Sequence, residues 1–145
     1  MKQRTIQNIK VTSYGISTIG ANFGPAYFIV EYPDGSRAQY GNSIDSSTVT
    51  DYAINFWQNP QGIKIVYNYI KNQNSIEIAF IKYGSPANAG ALINEIEFVY
   101  KTRQRPEKLY VGGYLIEKNI LLSQINVRGN NIGFRNYLLE HNSTS

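Results

Sequence analysis

The chain has 145 residues, a formal net charge of +4 at pH 7, no cysteine and a single histidine, His141. Those counts exclude a disulfide framework, thiol chemistry, Cys-His nucleophile systems and any zinc site built on several Cys or His ligands, and the place of His141 in a polar C-terminal tail argues against a Ser-His-Asp system. The length predicts one globular domain over 1–140, followed by a flexible polar tail over 141–145.

Isoleucine, tyrosine and asparagine are frequent, and the first two favour strands. Leucine and alanine are modest, which lowers helix propensity. Ile, Asn, Lys and Tyr also share AT-rich codons. That bias, with the missing cysteine, fits an orphan protein of a virus or mobile element. The segment Met1–Gln7 is charged but leads into no apolar run, and no stretch is apolar enough to span a bilayer. A cytoplasmic location is therefore expected (host cytoplasm or virion if viral), with no membrane partner.

In chain order, Val11–Phe23 reads as a strand interrupted by Gly15 and Gly20. Ala26–Tyr32 and Ser36–Tyr40 form a hairpin around Pro33-Asp34-Gly35. Proline pre-sets the first turn position, and glycine takes the left-handed one. Ser47–Gln58 reads as a helix. Ser46 or Ser47 would cap it, and Val49, Tyr52, Ala53, Phe56 and Trp57 recur at spacings of three and four. Asn59-Pro60-Gln61-Gly62 would stop it. Ile63–Ile70 and Ile76–Ile81 alternate as a second hairpin around Asn72-Gln73-Asn74.

Residues 85–101 read as a short turn or helical piece followed by a strand. Lys101–Lys108 reads as a basic loop. Leu109–Glu117 and Ile120–Val127 read as two strands joined at Lys118-Asn119, with Gly112-Gly113 as a close backbone crossing. Gly129-Asn130-Asn131 is a turn, and Ile132–Leu139 is a final strand or a short C-terminal helix. The expected fold is α+β, a mainly antiparallel sheet with one packed helix (about 47–58). Phe28, Val30, Ile54, Trp57, Ile65, Ile78, Phe80 and Phe98 are the candidate core.

No motif assigns an activity. Gly15-Ile16-Ser17-Thr18-Ile19-Gly20 superficially resembles a nucleophile elbow, but its second glycine falls one residue late. There is no Walker loop and no dinucleotide fingerprint, so no cofactor is expected. Glu95 and Glu97 would share a strand face, which could make a metal or glycosidase pair but is more often simply the wet side of a strand whose other side holds Ile96 and Phe98. Nine tyrosines lie on or beside predicted strands, where they suit an interface, a stacking platform or plain half-burial.

Two readings of function follow. The first is a non-enzymatic interaction or assembly protein, homo-oligomeric and open to a protein partner. It rests on missing catalytic groups, strand edges that need covering and tyrosine-rich faces. The second is a module for nucleic acid or a nucleotide-like anion. In it Arg103, Arg105 and Lys108 contact phosphate while Tyr100 and Tyr110 stack.

Overall fold

The computed structural model describes residues 8–84 and 91–142. Among the described residues nine antiparallel strands follow one another in a single sheet, in the order of the sequence. They are β1 (Lys10–Tyr14), β2 (Tyr27–Glu31), β3 (Arg37–Tyr40), β4 (Ile54–Gln58), β5 (Lys64–Asn72), β6 (Ser75–Tyr83), β7 (Asn94–Val111), β8 (Tyr114–Gly129) and β9 (Ile132–Leu138). The only helical piece among the described residues is one 3-10 turn, Ala21–Phe23. The fold is all-β, and the α+β expectation is corrected.

The helix expected over 47–58 is instead an irregular turn followed by β4. Its side chains explain why. Thr48 Oγ1 accepts from the amides of Thr50 (3.3 Å) and Asp51 (3.1 Å). Asn55 donates to Ser43 Oγ (2.7 Å) and Ser46 Oγ (2.8 Å). Asp45 accepts the Tyr69 amide (2.8 Å) at a bulge in the β5–β6 ladder. Short polar side chains that bond the backbone, as Thr48 and Asp45 do, compete with helical hydrogen bonding. Ile54, Phe56 and Trp57 then pair with β3 and β5, as residues of high strand propensity do.

The first hairpin forms where expected. Gly35 has φ +82°, and Asp34 Oδ1 accepts from the Ser36 amide (2.9 Å) and hydroxyl (2.6 Å). The second hairpin turns at Gln73-Asn74. Val11–Phe23 is strand only to Tyr14. The expected break at Lys118-Asn119 does not exist, because β8 runs straight through it. Gly112-Gly113 is the tight turn between β7 and β8, both glycines at positive φ, with no neighbouring backbone against them. Of the 132–139 segment, Ile132–Leu138 is strand β9, and no part of it is helix. Residues 85–90, where a turn or helical piece was expected, lie outside the described residues, as do 143–145 of the expected tail.

A single-layer sheet buries little. Among the described residues only Ala38, Ala79 and Ile116 are buried apolar side chains, and the eight core candidates are all half-buried. Cross-strand partners share a face. One row therefore runs Val11, Val30, Ala38, Trp57, Ile65, Tyr83 across β1 to β6. Phe80 lies on the other face, paired with Glu97 and overlaid by the Lys82 ammonium.

The sheet also curls. Phe23, just before β2, meets Tyr114 at the tip of the β7–β8 ribbon with ring centroids 6.0 Å apart. In a flat sheet β2 and β8 would stand roughly 30 Å apart, at ~4.8 Å per strand. Asn74 at the β5–β6 turn donates to the Leu115 carbonyl (2.9 Å) and helps hold the ribbon over that face.

Candidate functional site

The ribbon carries the basic segment. Pairing of β7 with β8 stops at Thr102↔Ile120 and resumes at Glu107↔Lys118. Residues 103–106 therefore bulge out opposite Asn119, and the segment expected as a loop is an interruption inside one long strand. Pro106 falls within the unpaired stretch, where its missing N–H costs no ladder bond.

The five residues expected to bind an anion do not converge. Arg103 Nη2 pairs with Glu107 Oε1 at 2.6 Å, and Lys108 pairs with Glu117 at 3.7 Å. Arg105 is exposed on the bulge. Tyr100 donates its hydroxyl to the Ile78 carbonyl (2.8 Å), and burial raises its pKa above the usual phenol value. Tyr110 is 72% exposed near the ribbon tip. Their ladder partners Leu122 and Leu115 stand seven residues apart on β8, about 23 Å at the usual rise, so the two rings do not flank one small ligand.

The structure assembles a different group. A small cleft of about 150 Å³ lies beside the bulge, lined by Lys101, Thr102, Arg103, Gln104, Leu121 and His141 among others. Arg103 is only 18% exposed, and its buried Nε has no hydrogen-bond partner among the described residues. His141 arrives because the chain after β9 continues along β8, with the Leu139 amide donating to the Ser123 carbonyl (2.9 Å). Its Nε2 sits 2.6 Å from the Leu122 carbonyl. A carbonyl only accepts, so Nε2 carries a proton there. Lys101 pairs directly with Leu121 across the ladder. Lys101 stood in the basic run, but no local signal linked it to a histidine forty residues on.

A second, larger cleft of about 440 Å³ lies under the curled ribbon, with Tyr52, Tyr69, Ile76, Leu109 and Ile116 on its walls and Asp51 and Lys118 among its polar residues. The Tyr69 hydroxyl donates to the Ile54 carbonyl (2.7 Å), and burial pushes its pKa up to about 12. That phenol is a fixed structural donor at neutral pH.

Glu95 and Glu97 do share a face, together with Lys82, Arg128 and Asn126. Arg128 reaches Glu95 at 2.8 Å and Glu97 at 3.1 Å, Lys82 reaches Glu95 at 3.4 Å, and Asn126 donates to Glu97 at 2.9 Å. The pair is charge-compensated on the wet face of the sheet. Ser17 accepts from the Ile19 amide (3.3 Å) within a local turn.

The remaining prominent surface is the outer edge. All seven residues of β9 are exposed, including Ile132 (69%), Phe134 (74%) and Leu138 (76%). The Arg135 guanidinium lies over the rings of Phe134 and Tyr137 at 5.7 and 6.0 Å.

No protein-family model and no curated protein matches the chain. Its fold is similar to a solved bacterial domain. That structure is the N-terminal domain of effector protein SpvB from Salmonella typhimurium strain LT2, with a TM-score of 0.66 over 88% of this chain at 14% identity. The chain spans 56% of that structure's length. At this identity the likeness speaks for the fold alone.

Proposed function

We infer that this chain is a non-enzymatic assembly domain that associates with further copies of itself through its sheet edges. The observation that carries the reading is the exposed apolar edge strand β9 on a sheet with almost no buried core of its own. An open strand presents a row of N–H and C=O groups to any incoming strand. Large apolar side chains beside that row reward the pairing by leaving water. Edges that must stay free usually carry inward-pointing charges, prolines or short strands. Over β9 the only charge is Arg135, whose guanidinium stands 5.7 and 6.0 Å from the ring centroids of Phe134 and Tyr137.

The missing catalytic groups support the same reading. The carboxylate pair is engaged by Arg128 and Lys82.

The test is the mass of the native particle, by light scattering and native mass spectrometry over a dilution series. A closed oligomer at the bare protein mass, dissociating on dilution, is the expected result. A monomer at every concentration would overturn the reading.

A further inference from the structure

We propose that the open cleft at the tip of the β2–β3 hairpin binds a methylated ammonium cation, held by the Tyr32 and Trp57 rings and the Asp34 carboxylate. The proposal stands apart from the assembly reading, since it uses the hairpin and β4 and not the free edge of β9.

Strand pairing sorts charge at this end of the sheet. Cross-strand partners share a face. Lys10, Glu31, Arg37, Gln58 and Lys64 form one such row across β1 to β5. On that face Lys10 pairs with Glu31 at 2.9 Å, while Arg37 and Lys64 stand over the Phe56 ring at 5.8 and 4.9 Å. The adjoining row of Val30, Ala38 and Trp57 is displaced by one residue on each strand, so it points to the other face. Trp57 therefore stands on a face from which these three cations are turned away.

The cleft there has a volume of about 390 Å³ and is lined by Tyr32, Pro33, Asp34, Ser36 and Trp57. Small-molecule sites run from roughly 300 to 1,000 Å³. Asp34 is the only charged residue of the lining, and it is exposed. Its Oδ1 accepts from the Ser36 amide and hydroxyl, and those bonds hold its carboxyl below the usual range. Among the described residues it has no ion-pair partner, and Oδ2 accepts no hydrogen bond. Neither Tyr32 nor Trp57 carries a cation or stacks on another ring among those residues. Two ring faces and one ionised carboxylate thus line one cleft uncompensated.

A ring face attracts a cation electrostatically, tryptophan best of all, and quaternary ammonium groups are recognised in this way. Methyl groups on the nitrogen lie against the rings, while Asp34 supplies the opposite charge. A bare metal ion would need several oxygen ligands, and the cleft offers one carboxylate. The open side leaves the rest of the ligand outside, so the same chemistry serves free choline or a methylated lysine on a protein.

The experiment titrates the full chain with tetramethylammonium chloride, against sodium chloride at equal ionic strength. Trp57 is the only tryptophan in the chain, so its fluorescence reports on this cleft. A saturable change with tetramethylammonium and not with sodium is expected. By calorimetry, Asp34→Asn should weaken binding about five-fold, through loss of one exposed charge pair. The asparagine keeps an acceptor for Ser36. Tyr32→Leu should weaken binding about three-fold. Circular dichroism confirms that each variant is folded. Dimethylbutanol, the neutral carbon isostere of choline, should bind more than about ten-fold more weakly than choline, since it loses both attractions. A trimethyl-lysine peptide run beside choline separates the sources. Equal affinity marks a site for the free cation, and tighter binding of the peptide marks one for a protein side chain. Absence of a saturable change overturns the proposal. So does an isostere that binds as tightly as choline, or an affinity that neither Asp34→Asn nor Tyr32→Leu changes.

Discussion

Phe23 and Tyr114 meet edge to face, at 63° between ring planes, although one precedes the second strand and the other opens the eighth. Such aromatic pairs contribute ~0.5–1.5 kcal/mol beyond the area they bury. This one links the two ends of a curled, open sheet. A double-mutant cycle on Phe23→Leu and Tyr114→Leu, read by urea unfolding, should return a coupling of about 1 kcal/mol. A coupling indistinguishable from zero would mean that the ribbon tip is not held there.

Gly41 is the position least tolerant of a side chain. It is buried with φ +86°, and an added Cβ would run into the Tyr52 ring. That ring is fixed in turn, its hydroxyl donating to the Pro25 carbonyl at 2.6 Å and its face meeting Phe28 at 4.9 Å. Gly41→Ala should destabilise by more than about 1 kcal/mol, because both backbone strain and displacement of Tyr52 oppose it. Gly133→Ala, where nothing lies within contact distance, is the matched control. Equal melting temperatures for the two variants would refute the clash.

Alkaline pH should unfold the protein through its tyrosines. Burial raises the folded-state pKa of Tyr69 to about 12 and shifts those of Tyr40 and Tyr100 in the same direction. A phenol with a raised folded pKa is held neutral by the fold, while in the unfolded chain it ionises near 10. Its stabilisation is fully present below pH 10 and is lost as pH rises from about 10 to 12. Absorbance of phenolate against pH should therefore show a late-titrating group, coincident with loss of circular dichroism. Tyr69→Phe should shrink the late amplitude. An unchanged late amplitude in that variant would assign it elsewhere.

The free edge of β9 can be blocked without touching the rest. Phe134 and Ile132 are exposed, so lysine at either position removes no buried contact. Edge lysines oppose strand pairing by charge and hydration. The double variant Ile132→Lys and Phe134→Lys should remain folded and shift the particle toward monomer. An oligomer of unchanged mass would move the interface away from this edge.

The ion-pair ladder on the wet face should matter little. Arg128 bridges Glu95 and Glu97, but its side chain is half in solvent. Exposed pairs contribute ~0–1 kcal/mol. Arg128→Ala should cost less than about 1 kcal/mol in urea unfolding, with the difference narrowing in high salt. A larger, salt-independent loss would show that the ladder organises the sheet.

Turns were the most legible feature of the chain. Pro33-Asp34-Gly35 forms its turn because proline, aspartate and glycine each satisfy a local geometric demand, and neighbours within four residues complete it. The 63–81 hairpin was legible for the same reason, since alternation and a turn signal are both local. Ser47–Gln58 misled because a spacing of three and four also arises when a polar turn runs into a short strand. The deciding bonds go from Ser43 and Asp45 to Asn55 and to the Tyr69 amide, and the last partner lies on a later strand. The anion-site reading grouped Arg103 with Tyr100 and Tyr110, which the strand holds apart. Along a strand, proximity in sequence becomes separation in space.

The sequence by itself determined the strand-rich character, the position of two hairpins and the lack of any thiol, all of which depend on composition or on residues a few positions apart. Only the tertiary structure decided that the sheet is a single curled layer, that the basic run is a bulge inside a strand, and that His141 lines one cleft with Lys101 and Arg103. Those facts depend on register between strands distant in the chain. Register is set by the sum of cross-strand pairs, to which no short stretch of sequence has access.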